Sequence, residues 1–385
     1  MRLIMKKKSI LLIFIITLNL YSNELKIGMS GDFSGSISYL GNNMKMGIES
    51  YFNKINKSSS SKYKLISYDD KYNPVLASQN VKKLIHKDKV LTLLGNTGTP
   101  TATVTLPIIN KNKIPLIGPY SGGKILRDPQ TNTFSFNYRV GYYNEVSQIV
   151  TNLFNKGITP DELAVFTQND TYGDSGYLGV LEAFRSRNIS INNIIHERYT
   201  KGTENIEYGL SKLLDYNKNF KAFIVVGVNK ATTKFIKYAK EDFPNAKFFL
   251  ISAMNISTIL NSLEEYEDDV YSTQVVPLLS EKLPIVKEYK EDFKKLYPNE
   301  KTNLISFEGY IVAKLFHEVI KELKPEEINR NNIRKQLLKV ENIDIGLGFK
   351  SSFNNEKHQY SNRVWLTRVK NGELQNVSWK EIEVK

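Results

Sequence analysis

Short apolar runs alternate with amphipathic stretches along most of this chain, and this order constrains the fold more than any other feature. Strands are predicted at 25–29, 63–68, 90–94 and 114–117. Helices are predicted between them at 41–57, from Asn73-Pro74 onward and at 100–111. Strands that alternate with helices in this way pair in parallel, so the pattern predicts an α/β fold with a doubly wound sheet.

The alternation restarts near Tyr142 and predicts a second α/β unit of similar size. Its helices are predicted at 144–156, 175–186, 204–216 and 230–242, and its strands at 163–167, 191–197, 222–226 and 247–251. The last third contains a strand at 270–276, helices at 284–296, 303–323 and 331–340, and strands at 363–369 and 374–378. Asn371-Gly372 between the last two strands is a hairpin signal. These elements form either a separate C-terminal domain or parts of both units, with several crossovers that act as a hinge.

The N-terminus has the three parts of a secretory signal peptide. A basic start at 2–8 precedes an apolar run at 10–20 and a short polar exit, and we expect cleavage after Ser22. An uncleaved anchor is the alternative, although the apolar run is short for a membrane span. The chain has no cysteine, hence no disulfide and no site for a lipid anchor. We therefore expect a soluble, exported protein that is not lipidated and is retained in a periplasm.

The net charge does not indicate a nucleic-acid partner. The formal charge is +13, but four basic residues lie in the predicted signal peptide, and 49 basic and 40 acidic residues remain without them. The lysines are spread along amphipathic segments, without the Arg-rich blocks or interleaved aromatic residues of nucleic-acid sites.

The sequence also lacks the motifs of catalysis, metal binding and nucleotide binding. None of the four histidines lies in a catalytic signature, and no two of them have metal-ligand spacing. The glycines near 28–31 and 95–98 match neither the dinucleotide fingerprint nor the P-loop. We therefore expect no enzyme activity, no cofactor and no metal.

Two small-residue loops follow the third and fourth predicted strands and indicate a binding site. The segment 91–127 reads LTLLGNTGTPTATVTLPIINKNKIPLIGPYSGGKILR, and its loops lie at 95–101 and 118–123. Loops at the carboxyl ends of parallel strands hold ligands in open α/β sheets, and helix starts with Thr and Ser hydroxyls suit a carboxylate. Tyr142, Tyr143 and Tyr172 offer flat surfaces to cover an apolar body. Thr99 alone is equally well explained as a helix N-cap.

The chain resembles the extracytoplasmic substrate-binding proteins of ABC transporters, of the branched-chain-amino-acid-binding type. The resemblance covers the mature chain and rests on the order and spacing of several short motifs. They are Lys26-Ile-Gly28 with Ser34-Gly35 and Gly41, Asp69-Asp70 with Asn73-Pro74, Gly98-Thr99-Pro100-Thr101-Ala102, Asn137-Tyr-Arg139, Gln168-Asn-Asp170 with Tyr172-Gly173, Thr273-Gln274-Val-Val-Pro277 and Phe307-Glu308-Gly309-Tyr310.

This resemblance implies two α/β lobes of the type I periplasmic-binding fold, joined by three hinge crossovers. We place the crossovers near Gly141, at 271–273 and at 341–345. Lobe 1 then comprises 23–141 plus 274–341, and lobe 2 comprises 142–271 plus 345–385. The resemblance further implies a monomer that captures a small molecule between the lobes and docks on a membrane permease with a cytoplasmic ATPase.

The resemblance also places the ligand contacts. Those to a ligand carboxylate fall on 97–99 and 120–122, and a stacking tyrosine falls on Tyr172. The candidate ligand-binding residues are Thr97, Gly98, Thr99, Tyr120, Ser121, Gly122, Tyr142, Tyr172, Asn229 and Met254.

One departure from the family concerns the ligand. The acidic residues that hold the ammonium group of amino-acid ligands fall on Tyr142 and near Met254, and neither side chain neutralises a cation. The sequence therefore predicts a carboxylate or amide with an apolar or aromatic body, which need not be an α-amino acid. A sensory protein that signals to a membrane receptor is the alternative function, and a hydrolase on the same fold is a third.

Overall fold

A computed structural model describes residues 23–59, 61–254, 256 and 259–384, which form two α/β lobes. The predicted signal peptide lies outside the described residues. The first part of lobe 1 consists of β1 (Asn23–Gly31), α1 (Ser38–Ile55), β2 (Ser61–Asp69), α2 (Pro74–His86), β3 (Thr92–Leu94), α3 (Thr99–Lys111), β4 (Leu116–Ile117) and β5 (Ser135–Phe136). Its five strands pair in parallel in the order β2-β1-β3-β4-β5. The predicted doubly wound α/β fold is confirmed.

Lobe 2 repeats the pattern around a seven-stranded sheet. Its elements are α4 (Tyr142–Asn155), β6 (Leu163–Asn169), α5 (Thr171–Ser186), β7 (Ile195–Thr200), α6 (Glu207–Asp215), β8 (Ala222–Val226), α7 (Asn229–Asp242), β9 (Lys247–Leu250), α8 (Leu260–Leu263) and β10 (Val270–Gln274). The strand order is β14-β13-β10-β9-β8-β6-β7, where β13 and β14 come from the end of the chain and pair antiparallel.

The last third of the chain is divided between the lobes. It contains α9 (Pro284–Leu296), α10 (Leu304–Ile320), α11 (Arg330–Lys339), β11 (Ile343–Asp344), β12 (Lys350–Ser351), β13 (Trp365–Lys370) and β14 (Glu373–Asn376). The three helices pack into the core of lobe 1, whereas β13 and β14 extend the sheet of lobe 2. Asn371 and Gly372 both have positive φ, 54° and 72°, as a two-residue hairpin turn requires. The chain therefore crosses between the lobes three times.

Two of these crossovers differ from the predicted positions. β10 stays in the sheet of lobe 2 up to Gln274, so the second crossover follows that residue and does not lie at 271–273. Phe353 and Tyr360 pack in the core of lobe 1, and Gln359 pairs with Asn137 beside β5. The third crossover thus follows residue 361 and does not lie at 341–345. Strands of two residues, such as β11 and β12, are too short to produce a periodic sequence signal.

α1 and α10 cross in lobe 1 with their backbones in contact. A Cβ atom at Gly47 would lie 1.9 Å from the Ser306 carbonyl oxygen, and one at Gly309 would lie 2.2 Å from that of Met44. Both positions therefore need glycine. The crossing buries apolar side chains of both helices, including Ile48. Among the described residues, no helix combines the length and the apolar character needed to cross a membrane.

We predict that Gly309→Ala destabilises the protein by about 1–3 kcal/mol. The added methyl group would overlap the Met44 carbonyl and force α1 and α10 apart, at an overpacking cost that exceeds the better helix propensity of alanine. Urea unfolding followed by circular dichroism measures the change.

The matched control is Val75→Ala in α2, where the valine is 64% exposed. We expect this control to change the stability by no more than about 0.5 kcal/mol. Equal stabilities of the Gly309→Ala variant and the wild type would contradict the close helix contact.

Candidate ligand-binding site

A cavity lies between the lobes, and both lobes contribute to its walls. The space between protein atoms is about 530 Å³, part of it open to solvent. Lobe 1 contributes Ser36, Ile37, Tyr39, Leu40, Tyr72, Gly98, Thr99 and Tyr120, and lobe 2 contributes Tyr142, Tyr172, Gly227, Val228, Ala253 and Met254. Most of these residues follow the carboxyl ends of strands, where parallel α/β sheets hold their ligands.

The structure brings six of the ten predicted site residues into the cavity wall. They are Gly98, Thr99, Tyr120, Tyr142, Tyr172 and Met254. Asn229 is the first residue of α7 and follows the lining residues Gly227 and Val228 directly.

Three other predicted residues bond to the wall or to its neighbours. The Ser121 hydroxyl lies 2.7 Å from that of Thr99, and the Gly122 carbonyl accepts a hydrogen bond from the Tyr142 N–H at 2.8 Å. The Thr97 hydroxyl accepts one from the backbone N–H of Asp32 at 3.1 Å. These residues support the lining side chains.

The start of α3 faces the cavity without a side-chain cap. The N-cap is Gly98, so the reading of Thr99 as the N-cap is wrong. Thr99 is the first helical residue, and its hydroxyl pairs with Ser121. The amide N–H groups of a helix start carry partial positive charge and attract anions and hydrogen-bond acceptors. The start of α5, by contrast, is capped by the Asp170 carboxylate.

Five tyrosines give the cavity a largely aromatic wall. The rings of Tyr142 and Tyr172 meet edge to face, with centroids 5.3 Å apart. The Tyr172 hydroxyl donates to the Gly227 carbonyl at 3.3 Å, which holds the ring in place. None of the fourteen described lining residues is charged.

A buried arginine lies behind two of these tyrosines. The Arg139 guanidinium lies 4.2 Å from the centroid of the Tyr120 ring, and it donates to the Tyr142 hydroxyl at 3.3 Å. It also donates to both carboxylate oxygens of Glu308, at 3.0 and 3.2 Å, and to Ser252 of lobe 2 at 3.3 Å. Burial opposes the charge of Arg139, but Glu308, Tyr142, Tyr120 and Glu145 together outweigh it and raise the pKa of the guanidinium.

A second buried carboxylate continues this network into lobe 2. Glu145 accepts hydrogen bonds from the N–H and the hydroxyl of Ser252, both at 3.0 Å, and from the Thr273 hydroxyl. Burial raises the pKa of Glu145. Because its oxygens are already bonded, this carboxylate stabilises the hinge and does not present an anionic site to the cavity.

Sequence reasoning missed several residues of the site, and Tyr72 is the most prominent. It follows β2, between Asp69-Asp70 and Asn73-Pro74. Its position directly after a predicted strand is the one sequence feature that could have indicated a role in the site. Burial raises the pKa of the neighbouring Asp70 carboxyl to about 6, despite hydrogen bonds from the Ser30 hydroxyl and the Tyr72 N–H. Arg139 and Glu308 each belong to a short motif that supports the family resemblance. Because 169 residues separate them in sequence, no local pattern indicates that they form a pair.

The described part of the chain contains no cluster of His, Cys, Asp and Glu able to hold a metal ion. A model of the family described as "Periplasmic binding protein" matches residues 24–373. The chain belongs to the periplasmic binding protein family. No protein of curated function matches the sequence significantly.

Several solved structures are similar to this periplasmic binding protein. A possible leucine/isoleucine/valine-binding protein from Rhodopirellula baltica is 33% identical, with a TM-score of 0.89 over 95% of this chain and 99% of that one. A leucine-binding protein from Thermotoga maritima (16% identity, TM-score 0.77, 92% and 98% covered) has the same fold. So has a fatty acid ABC transporter substrate-binding protein from Thermomonospora curvata (15% identity, TM-score 0.80, 94% and 95% covered).

These matches confirm the resemblance and the type I fold read from the sequence. Members of the family bind small molecules, typically work with ABC transporters and lie outside the cytoplasm.

We predict that Arg139→Met destabilises this periplasmic binding protein by about 3–5 kcal/mol. The substitution leaves the Glu308 carboxylate buried without its cationic partner, which costs more than the loss of the ion pair itself. Thermal and urea unfolding measure the change.

The double variant Arg139→Met/Glu308→Met removes both charges. We expect it to recover most of the lost stability, because apolar side chains of similar volume often replace a buried ion pair at little cost. A double variant as unstable as Arg139→Met would contradict this account.

Proposed function

We propose that this periplasmic binding protein captures a small carboxylate- or amide-containing molecule with an apolar or aromatic body, and delivers it to an ABC importer. The observation that carries the proposal is the cavity wall, which combines five tyrosines and an uncapped helix start with no charged side chain among its described residues. Such a wall suits a ligand with one hydrogen-bonding end and a larger apolar part.

The polar end of the ligand binds at lobe 1 in this proposal. The N–H groups of Thr99 and Thr101 at the start of α3, between which Pro100 has none, and the hydroxyl of Thr99 provide donors for a carboxylate or amide oxygen. Arg139, beneath Tyr120 and Tyr142, holds both rings in place and is itself neutralised by Glu308. Tyr172 and Met254 of lobe 2 then cover the apolar body.

An α-ammonium group finds no carboxylate among the described residues of this wall. The sequence resemblance assigns the acidic positions to Tyr142 and to the neighbourhood of Met254, and both of these residues line the cavity. The nearby Glu145 carboxylate is fully buried and bonded to Ser252 and Thr273. A cation enclosed here without a partner would be costly. The 33% identical relative is described as a possible leucine/isoleucine/valine-binding protein, and we propose a ligand without the ammonium group for this chain.

We predict that 4-methylpentanoate binds at least about tenfold more tightly than leucine, which is the same molecule with an α-ammonium group. A tenfold ratio corresponds to about 1.4 kcal/mol, a modest part of the cost of enclosing an unpaired cation. Isothermal titration calorimetry with both compounds, and with 3-phenylpropanoate and phenylalanine as an aromatic pair, measures the ratio.

A site variant and its control belong to the same titrations. Thr99→Val removes the hydroxyl at the polar end with little change of shape and should weaken carboxylate binding about tenfold. Thr103→Val, one turn further along α3, should leave it unchanged. Micromolar binding of leucine, isoleucine and valine would overturn the proposed ligand class.

The proposal includes export to the periplasm with cleavage of the predicted signal peptide, no lipid anchor, and a monomeric receptor. Family membership supports the extracytoplasmic location and the link to ABC transporters. Closure of the two lobes on the ligand would distinguish the loaded from the empty receptor for the permease, because a ligand that contacts both lobes shifts the population toward the closed form.

We predict that the ligand-loaded protein stimulates ATP hydrolysis by its partner permease and ATPase, when these are reconstituted in liposomes. The empty protein should stimulate it less, because the open form presents the two lobes at a different spacing. Phosphate release measures the rate. Equal rates with and without the receptor would contradict delivery and would favour a sensory role.

A further inference from the structure

Tyr72 is held in an unusual backbone conformation at the edge of the cavity. Lys71 and Tyr72 both have positive φ, 52° and 57°, which non-glycine residues adopt at a cost of about 1 kcal/mol or more each. Asp70 holds the turn: its carboxylate accepts from the Tyr72 N–H at 3.0 Å, and its carbonyl accepts from the Asn73 N–H at 2.7 Å. The turn directs the Tyr72 ring toward the space between the lobes.

One side of the Tyr72 environment belongs to lobe 1 and to the cavity wall. A Cβ atom at Gly98 would lie 2.6 Å from Cε2 of Tyr72, so the ring packs directly on the backbone at the start of α3. Both residues line the cavity. A ligand bound at the α3 start would therefore lie beside this ring.

The other side of Tyr72 contacts lobe 2. Lys201, directly after β7, places its Nζ 4.0 Å from the centroid of the Tyr72 ring and 3.5 Å from the Tyr72 carbonyl oxygen. Burial lowers the pKa of Lys201, while the charges of Asp170 and Asp70 act in the opposite sense. A cation on a ring face that is partly shielded from water is a favourable contact.

We propose that Tyr72 and Lys201 form a clasp that couples ligand capture to closure of the lobes, with Tyr72 as a wall of the cavity and as the partner of Lys201. The two residues belong to different lobes, so their contact forms only in the closed state. A ligand packed beside the Tyr72 ring stabilises the ring in the position that Lys201 contacts. This inference rests on the proposed ligand site. It identifies two residues that affect the affinity for the ligand without contacting the ligand's polar end.

The test measures the distance between the two lobes in variants of Lys201. Because the chain has no cysteine, Val75→Cys and Tyr208→Cys provide one spin label on each lobe, at positions that are 64% and 73% exposed. Pulsed electron spin resonance then gives the distance distribution, without ligand and with 4-methylpentanoate as the probe. The variants are Lys201→Met, Lys201→Arg, and Lys230→Met as the control, since Lys230 forms its ion pair with Glu204 inside lobe 2.

We expect the unliganded wild type to populate the short-distance closed form, and Lys201→Met to reduce its ratio to the open form about tenfold. Lys201→Met should also weaken probe binding about tenfold, chiefly through faster dissociation. Lys201→Arg should restore both values, because it keeps the cation over the ring, and Lys230→Met should match the wild type.

The clasp is overturned if the unliganded wild type has no closed population, or if Lys201→Met leaves the distance distribution unchanged. Failure of the proposed function looks different: the wild type then does not bind the probe. The unliganded distance distributions still decide the clasp in that case, since a shift in Lys201→Met but not in Lys230→Met supports it.

Discussion

The Arg139–Glu308 ion pair is the interaction on which the relation between the lobes depends. Arg139 lies in the first crossover, Glu308 lies on α10 of lobe 1, and the same guanidinium reaches Ser252 of lobe 2. A buried pair of this kind contributes little net stability, but it is strongly destabilising when one partner is missing. It therefore anchors the first crossover to lobe 1, and the hydrogen bond to Ser252 connects the same residue to lobe 2.

The three crossovers are also bonded to one another. The Tyr138 hydroxyl donates to the Val275 carbonyl of the second crossover at 3.2 Å. In the other direction, Ser361, directly before the third crossover, donates its N–H to the Tyr138 carbonyl at 3.0 Å. The N–H of Tyr360 donates to the Asn137 carbonyl at 2.7 Å. Closure must then take place by small changes shared among the three segments, and each segment constrains the other two. This favours a hinge with two defined states.

The sequence predicted what depends on local patterns. Alternating strands and helices, the hairpin at Asn371-Gly372 and the loops at strand ends all arise from residues close together in the chain. The residues that it did not predict depend on contacts across the fold: Arg139 meets Glu308 only because α10 packs beside the first crossover, and Tyr72 lines the cavity only because of two consecutive positive φ angles. The position of the third crossover was wrong for the same reason, since Tyr360 is drawn into lobe 1 by packing against Phe353 and Tyr138.

The cavity and the hinge share their side chains, and this sharing links binding to motion. Tyr120 and Tyr142 line the cavity on one side and contact Arg139 on the other. A ligand that packs on these rings therefore affects the Arg139 guanidinium, which is bonded to Glu308 of α10 and to Ser252. The uncharged wall has a further consequence: because the charges lie one layer behind it, their field reaches the ligand while their own hydrogen bonds stay satisfied by the protein. The binding site can therefore release or exchange its ligand without leaving a buried charge unpaired. This keeps the free-energy cost of opening and closing the lobes low.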